Sequence, residues 1–89
     1  MVSRNIEIIN KLGLHARAAS KLASTAGKFS CKISITKDGK EVDGKSIMSL
    51  MLLAASQGTS LELSCEGADE AEALDAICDL IARRFDEDE

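Results

Sequence analysis

Residues 59–67 read TSLELSCEG, and their alternation is strict. Leu61, Leu63 and Cys65 fall on one side, and Ser60, Glu62, Ser64 and Glu66 on the other. A period of two describes a strand with one face buried and one in water. A sheet of such strands is antiparallel and carries its helices on a single side, because a parallel sheet is buried on both faces and its strands are apolar throughout.

The neighbouring segments extend this pattern. In residues 31–37, CKISITK, Ile33 and Ile35 oppose Lys32, Ser34 and Thr36; Asp38–Gly39 is a strong two-residue hairpin signal, and Glu41 and Val42 begin the return strand. Near the N-terminus, Ile6 and Ile8 alternate with Asn5 and Glu7, which predicts a strand to about Ile9, broken by the turn formers Asn10 and Gly13. From Ala16 to about Lys28 good helix formers place Ala16, Ala19, Leu22, Ala23 and Ala26 on one face. Ser46 is a natural N-cap for a helix from Ile47 to about Ala55, closed by Gly58. Asp69 would cap a third helix in which Leu74, Ile77, Cys78, Ile81 and Phe85 recur at helical spacing, with Arg83 and Arg84 in its last turn complementing the dipole. The expected order is β-α-β-β-α-β-α. This is an α+β open-faced β-sandwich, a four-stranded antiparallel sheet with three helices on one face, and a single domain over residues 1–89.

Length and composition agree. The 89 residues allow one modest core, and 45% hydrophobic with 29% charged residues reads as a soluble globular chain. No apolar run approaches the ~20 residues of a membrane span, and "MVSRNIEIIN" has no signal-peptide character. Cys31, Cys65 and Cys78 are odd in number, widely spaced and set among apolar neighbours, which suits reduced core residues better than disulfides or zinc. Charge is uneven. Residues 1–45 carry nine Lys or Arg against four Asp or Glu, and residues 46–89 carry two against eleven. The acidic half and two phenylalanines as the only aromatics argue against nucleic acid. The ending FDEDE reads as a solubilising tail.

The only histidine, His15, falls at the N-cap of the first helix. The first amides of a helix lack internal partners, and with the dipole they form an anion site. The same positive end disfavours charge on the ring, leaving a nucleophile beside a phosphate cradle. Arg17 offers a planar fork of donors to phosphate oxygens. On residue chemistry alone, His15 serves equally well as a plain helix cap. A metal site lacks a second His or Cys at local ligand spacing. A hydrolase is poorly supported too, with no evident partner carboxylate in the motif and little chain for a pocket.

The motif GLHARAASKLASTAGKF, followed some thirty residues later by GKSIMSLMLLAASQGTSLEL, strongly resembles the HPr family of histidine-containing phosphocarriers of the bacterial phosphoenolpyruvate phosphotransferase system. The resemblance runs from about Ile6 to Phe85 and implies the same open-faced sandwich. It implies that His15 accepts phosphate on its δ nitrogen from phosphorylated enzyme I and passes it to enzyme II A components, with Arg17 supporting the phosphate. It also implies that Ser46 is the target of a regulatory serine kinase and phosphorylase in bacteria that have them. Ser46 caps its helix in any case. Where the family usually has proline after the HAR triplet, this chain has Ala18, which keeps the helix and restores one amide donor.

The second helix is apolar nearly all round, so some of its residues must face out. Composition does not settle which ones; partly on the resemblance, Ile47, Met48 and Met51 are taken as the docking patch, with Lys21 and Lys45 as a basic rim for acidic partners. The expectation is a cytoplasmic, monomeric phosphocarrier of sugar transport, a stoichiometric relay and not an enzyme, needing no cofactor or metal. Two alternatives stand beside it. One is a nitrogen-branch regulatory carrier, suggested by the acidic ending. The other is a non-phosphorylated adaptor binding partners through the second helix.

Overall fold

A computed structural model describes residues 1–87. The chain runs β1 (Val2–Glu7), α1 (Ala16–Ala26), β2 (Lys32–Lys37), β3 (Lys40–Asp43), α2 (Ile47–Leu52), β4 (Ser60–Glu66) and α3 (Glu70–Ala82). The four strands form one antiparallel sheet in the order β1-β4-β2-β3, so β4 is central and β1 lies at an edge. Cross-strand neighbours share a face. One row joins Ser3, Ser64, Ser34 and Asp43, and the next joins Arg4, Leu63, Ile35 and Val42. The helices cover the second kind of row, where Leu61, Leu63, Cys65, Ile33 and Ile35 are buried beneath Leu22, Leu50 and Ile77. The open-faced sandwich expected from the alternation is the fold observed.

The β2–β3 turn carries Asp38 and Gly39 at φ 50° and 83°, the two left-handed residues that such a tight hairpin requires. Strand β1 differs from expectation, beginning at Val2 and ending at Glu7 rather than centring on Ile6–Ile9. Its ladder uses backbone groups, so Ser3, Arg4 and Asn5 pair with β4 without showing apolar alternation. Ile8 lies beyond the strand, fully buried, with its amide bonded to Thr59 O and its carbonyl to the Gly58 amide.

Helix α1 buries Ala18, Ala19, Leu22, Ala23 and Ala26. Ala16, assigned to that face from spacing, is exposed, because at the first helical position it lies at the edge of the stripe centred on Leu22 and Ala26. Helix α2 stops at Leu52, short of Ala55. Ala54 turns left-handed at φ 51°, and Lys37 Nζ donates to Leu53 O at 2.9 Å. Asp69 precedes α3 but does not cap it with its side chain. Its carboxylate accepts the amides of Ser30 (2.8 Å) and Cys31 (2.9 Å), and these bonds, that from Ser30 foremost, hold its pKa below the ordinary aspartate value. Cys31 and Cys65 are buried; burial raises both thiols, Cys65 to about 11, which keeps them protonated and unreactive.

Phe85 is not on α3. The helix ends at Ala82, Arg83 is its C-cap, and Arg84, Phe85 and Asp86 all take left-handed backbone at φ 57°, 55° and 61°. Arg83 pairs with Asp79 at 3.0 Å and with Asp86 at 3.1 Å. Left-handed backbone costs about 1–2 kcal/mol per non-glycine residue, so tertiary contacts must hold the turn in place. Phe85 supplies them: it is fully buried, and Lys21 Nζ donates to its carbonyl at 2.7 Å. The acidic ending is thus folded back onto the molecule as far as Glu87; Asp88 and Glu89, the remainder of the expected solubilising tail, lie outside the described residues.

Candidate functional site

The loop between β1 and α1 is fixed before it reaches the histidine. Gly13 has φ 69°, and a Cβ there would stand 2.6 Å from Ala55 O and 2.9 Å from Ser56 Cα. Only glycine allows that approach. The Leu14 amide then donates to Ala55 O at 2.8 Å, tying the mouth of α1 to the chain leaving α2. The glycine therefore serves backbone contact with residues 55–56 as well as the turn expected of it.

His15 is the N-cap of α1, with extended backbone (φ −79°, ψ −179°) and no side-chain cap bond. Its carbonyl accepts the Ala19 amide at 2.8 Å, whereas the amides of Ala16, Arg17 and Ala18 have no acceptor among the described residues. An 11-residue helix therefore presents its positive end and unpaired donors at the ring. Arg17 is exposed and has no ion-pair partner within 4 Å among the described residues, so its guanidinium is available to an incoming anion.

Glu87, which sequence reasoning missed, completes the constellation. One of its carboxylate oxygens, Oε2, bonds to His15 Nε2, and the other accepts from Asn10 Nδ2 at 2.9 Å. Asn10 is fully buried, also donates to Gly13 O at 2.8 Å, and its own Oδ1 has no partner among the described residues. Burial pushes the Glu87 carboxyl up, but hydrogen bonds from Asn10 and His15 and the nearby charge of Arg17 outweigh it and hold the pKa below the ordinary glutamate value. The contact spans 72 residues of chain. Its only sequence signals are an acidic residue two places past an apolar Phe85 and a turn asparagine ahead of the motif.

The other expected site residues fall into two groups. Ser46 caps α2, its Oγ accepting the Ser49 amide at 3.2 Å. Beyond it Ile47, Met48 and Met51 are exposed, as chosen from the sequence, while Leu50 and Leu53 enter the core. Leu52 (67% exposed) and Leu12 (69% exposed) add apolar surface that the sequence reading did not single out. The two lysines do structural work: Lys21 anchors the Phe85 carbonyl, and Lys45 Nζ donates to Phe29 O at 2.8 Å. Among the described residues no three His, Cys, Asp or Glu groups gather as a metal site would require, and no helix is long and apolar enough to cross a membrane.

Comparison with known proteins agrees with this geometry. Residues 2–83 match the family described as the PTS HPr component phosphorylation site. The chain is 55% identical over 89 residues to phosphocarrier protein HPr of Neisseria meningitidis serogroup A, covering all of both chains. It is similar to the crystal structure of HPr-C-His from Thermoanaerobacter tengcongensis, with a TM-score of 0.97, 50% identity and full coverage of both chains. The HPr dimer from the same organism gives a TM-score of 0.79 at 52% identity, over 98% of this chain and 100% of that one. The family expected from the two motifs is therefore established: the chain belongs to the HPr family of phosphocarrier proteins.

Proposed function

We propose that this phosphocarrier accepts a phosphoryl group on His15 Nδ1 from enzyme I and delivers it to enzyme II A components. The observation that carries the reading is the mouth of α1, where a histidine whose side chain makes no cap bond stands beside three first-turn amides with no acceptor among the described residues. Arg17 gathers the phosphoryl oxygens as they arrive, and the ring holds them only until the acceptor competes for the same group. The protein is a carrier consumed and regenerated once per transfer, not a catalyst acting on a small substrate.

The exposed Ile47, Met48 and Met51, extended by Leu52, supply the docking surface shared by successive partners. Ser46 stands at the start of that surface, where a kinase could add a charge that apolar docking would have to desolvate, and a phosphorylase could remove it. The GKSIM motif around it favours the sugar-uptake role over the nitrogen branch. We place the protein in the cytoplasm as a single-domain monomer. A purely adaptor role would leave the uncapped histidine and Arg17 without purpose. Incubation with phosphoenolpyruvate and enzyme I tests the reading: the protein should take up one acid-labile phosphoryl group and lose it to an enzyme II A component. Absence of uptake from a competent enzyme I would contradict it.

A further inference from the structure

We propose that Glu87 is a positioning residue for phosphoryl transfer, fixing the proton of the neutral His15 ring on Nε2 so that the Nδ1 lone pair faces the chemistry. This rests on the reading of His15 as acceptor. A carboxylate only accepts hydrogen bonds, so the bond between Glu87 Oε2 and His15 Nε2 requires the hydrogen to sit on Nε2. No described residue bonds to Nδ1.

The carboxylate is itself held. Its second oxygen takes a hydrogen bond from Asn10, a fully buried side chain anchored in turn to Gly13 O. The chain that delivers it is pinned by buried Phe85 and by Lys21 on the Phe85 carbonyl, through three left-handed residues. Glu87 has a side chain only 13% exposed, unlike a solvated tail residue. The arrangement is Asn10 to Glu87 to His15, a ring oriented by an oriented carboxylate, the logic by which buried carboxylates set histidine tautomers elsewhere.

The transfer step balances without a proton moving. The Nδ1 lone pair forms the new bond to phosphorus while the donor's bond to phosphorus breaks, and that electron pair leaves with the donor atom. The ring gains positive charge as it attacks and keeps its hydrogen on Nε2, where the Glu87 carboxylate offsets the charge. Delivery to the acceptor runs the same steps backwards.

The test combines 15N NMR of the His15 ring, recorded without any donor at a pH well above the ordinary histidine range, with rates of enzyme I-dependent phosphorylation. The native ring should show a protonated Nε2 and a bare Nδ1. Glu87→Ala should give a mixture of tautomers and slower transfer, about 10–100-fold, as when a residue orienting a histidine is removed. Glu87→Gln has one acceptor oxygen where the carboxylate uses two, so it cannot take the hydrogen bonds of both Asn10 and His15 Nε2; it should weaken the tautomer preference and transfer more slowly, for want of the charge. A native ring protonated on Nδ1, an unchanged tautomer in Glu87→Ala, or a rate in either variant equal to or above the native one would overturn the proposal; the last result would mean that the tail shields the ring. Should Glu87→Ala fail to fold, the near-isosteric Glu87→Gln with a native melt decides by its rate. Failure of the parent reading looks different: the native protein would take up no phosphate, or His15→Ala would still take it up, whatever the tautomer.

Discussion

Helices α1 and α2 begin in opposite ways. At α2 the serine Oγ turns inward and takes the Ser49 amide at 3.2 Å, so the helix end satisfies part of its own need. At α1 the histidine makes no such bond, and the first three amides are left with no acceptor among the described residues. A self-satisfied cap is what stability alone produces. An open cap on a helix of 11 residues forgoes that stabilisation, and it does so at the chain's one histidine, two residues before an arginine with no ion-pair partner among the described residues. The contrast separates a helix end that holds structure from one that, on the proposed function, holds an anion.

The largest expected effect lies in the support beneath the open mouth. Gly13→Ala must relieve a 2.6 Å approach to Ala55 O at a left-handed residue, and both faults together should cost more than about 2 kcal/mol, read as a lower melting temperature. Because the loop carries His15, phosphorylation should slow as well. A native melt would show that the loop does not depend on the Ala55 contact.

At the closed mouth, Ser46→Ala should cost about 1 kcal/mol, the usual loss for a serine cap, and leave transfer nearly intact. Ser46→Asp should stay folded, since a negative group suits a helix start, but should bind enzyme I more weakly through the apolar patch beside it. Transfer rates measured against carrier concentration, with melts alongside, separate the two roles. Matching rate curves would confine Ser46 to capping.

Arg17→Ala sharpens the contrast from the other side. The side chain is exposed and has no ion-pair partner among the described residues, so stability should change by less than about 1 kcal/mol while transfer slows clearly. The reverse outcome, a lower melt with normal transfer, would make Arg17 structural. The smallest effect is expected from Ala18→Pro. Its amide has no acceptor among the described residues, and a proline in the first turn should shift stability by within about 1 kcal/mol. A larger loss would mean that the packing around this fully buried residue has no room for the ring.

Much of this was legible in the sequence, for identifiable reasons. The period-two alternation of Leu61, Leu63 and Cys65 gives the central strand and the one-sided sheet, and Asp38–Gly39 gives the hairpin. The position of His15 at the helix mouth follows from local turn and helix signals, and some apolar residues of α2 had to be exposed because one short helix cannot bury every apolar face; the choice of Ile47, Met48 and Met51 leans on the family resemblance as well. What the sequence hides depends on non-local contact. Strand β1 pairs through its backbone along a sheet edge, so its polar side chains carry no signal. Phe85 fits a helical period by coincidence, while the chain reaches its burial through three left-handed residues that no spacing rule anticipates. Glu87 looks like part of an acidic tail until the fold sets it against His15.

The central claim is that the open helix mouth is the acceptor, and the phosphorylated protein tests it directly. After reaction with phosphoenolpyruvate and enzyme I, the phosphoryl group can be located by its phosphorus–nitrogen coupling in 15N-labelled protein, with His15→Ala carried through the same reaction. The account predicts coupling to His15 Nδ1 alone, loss of the group in mild acid, and no uptake by His15→Ala despite a native melt. Coupling to Nε2, an acid-stable phosphate, or undiminished uptake by the variant would contradict it.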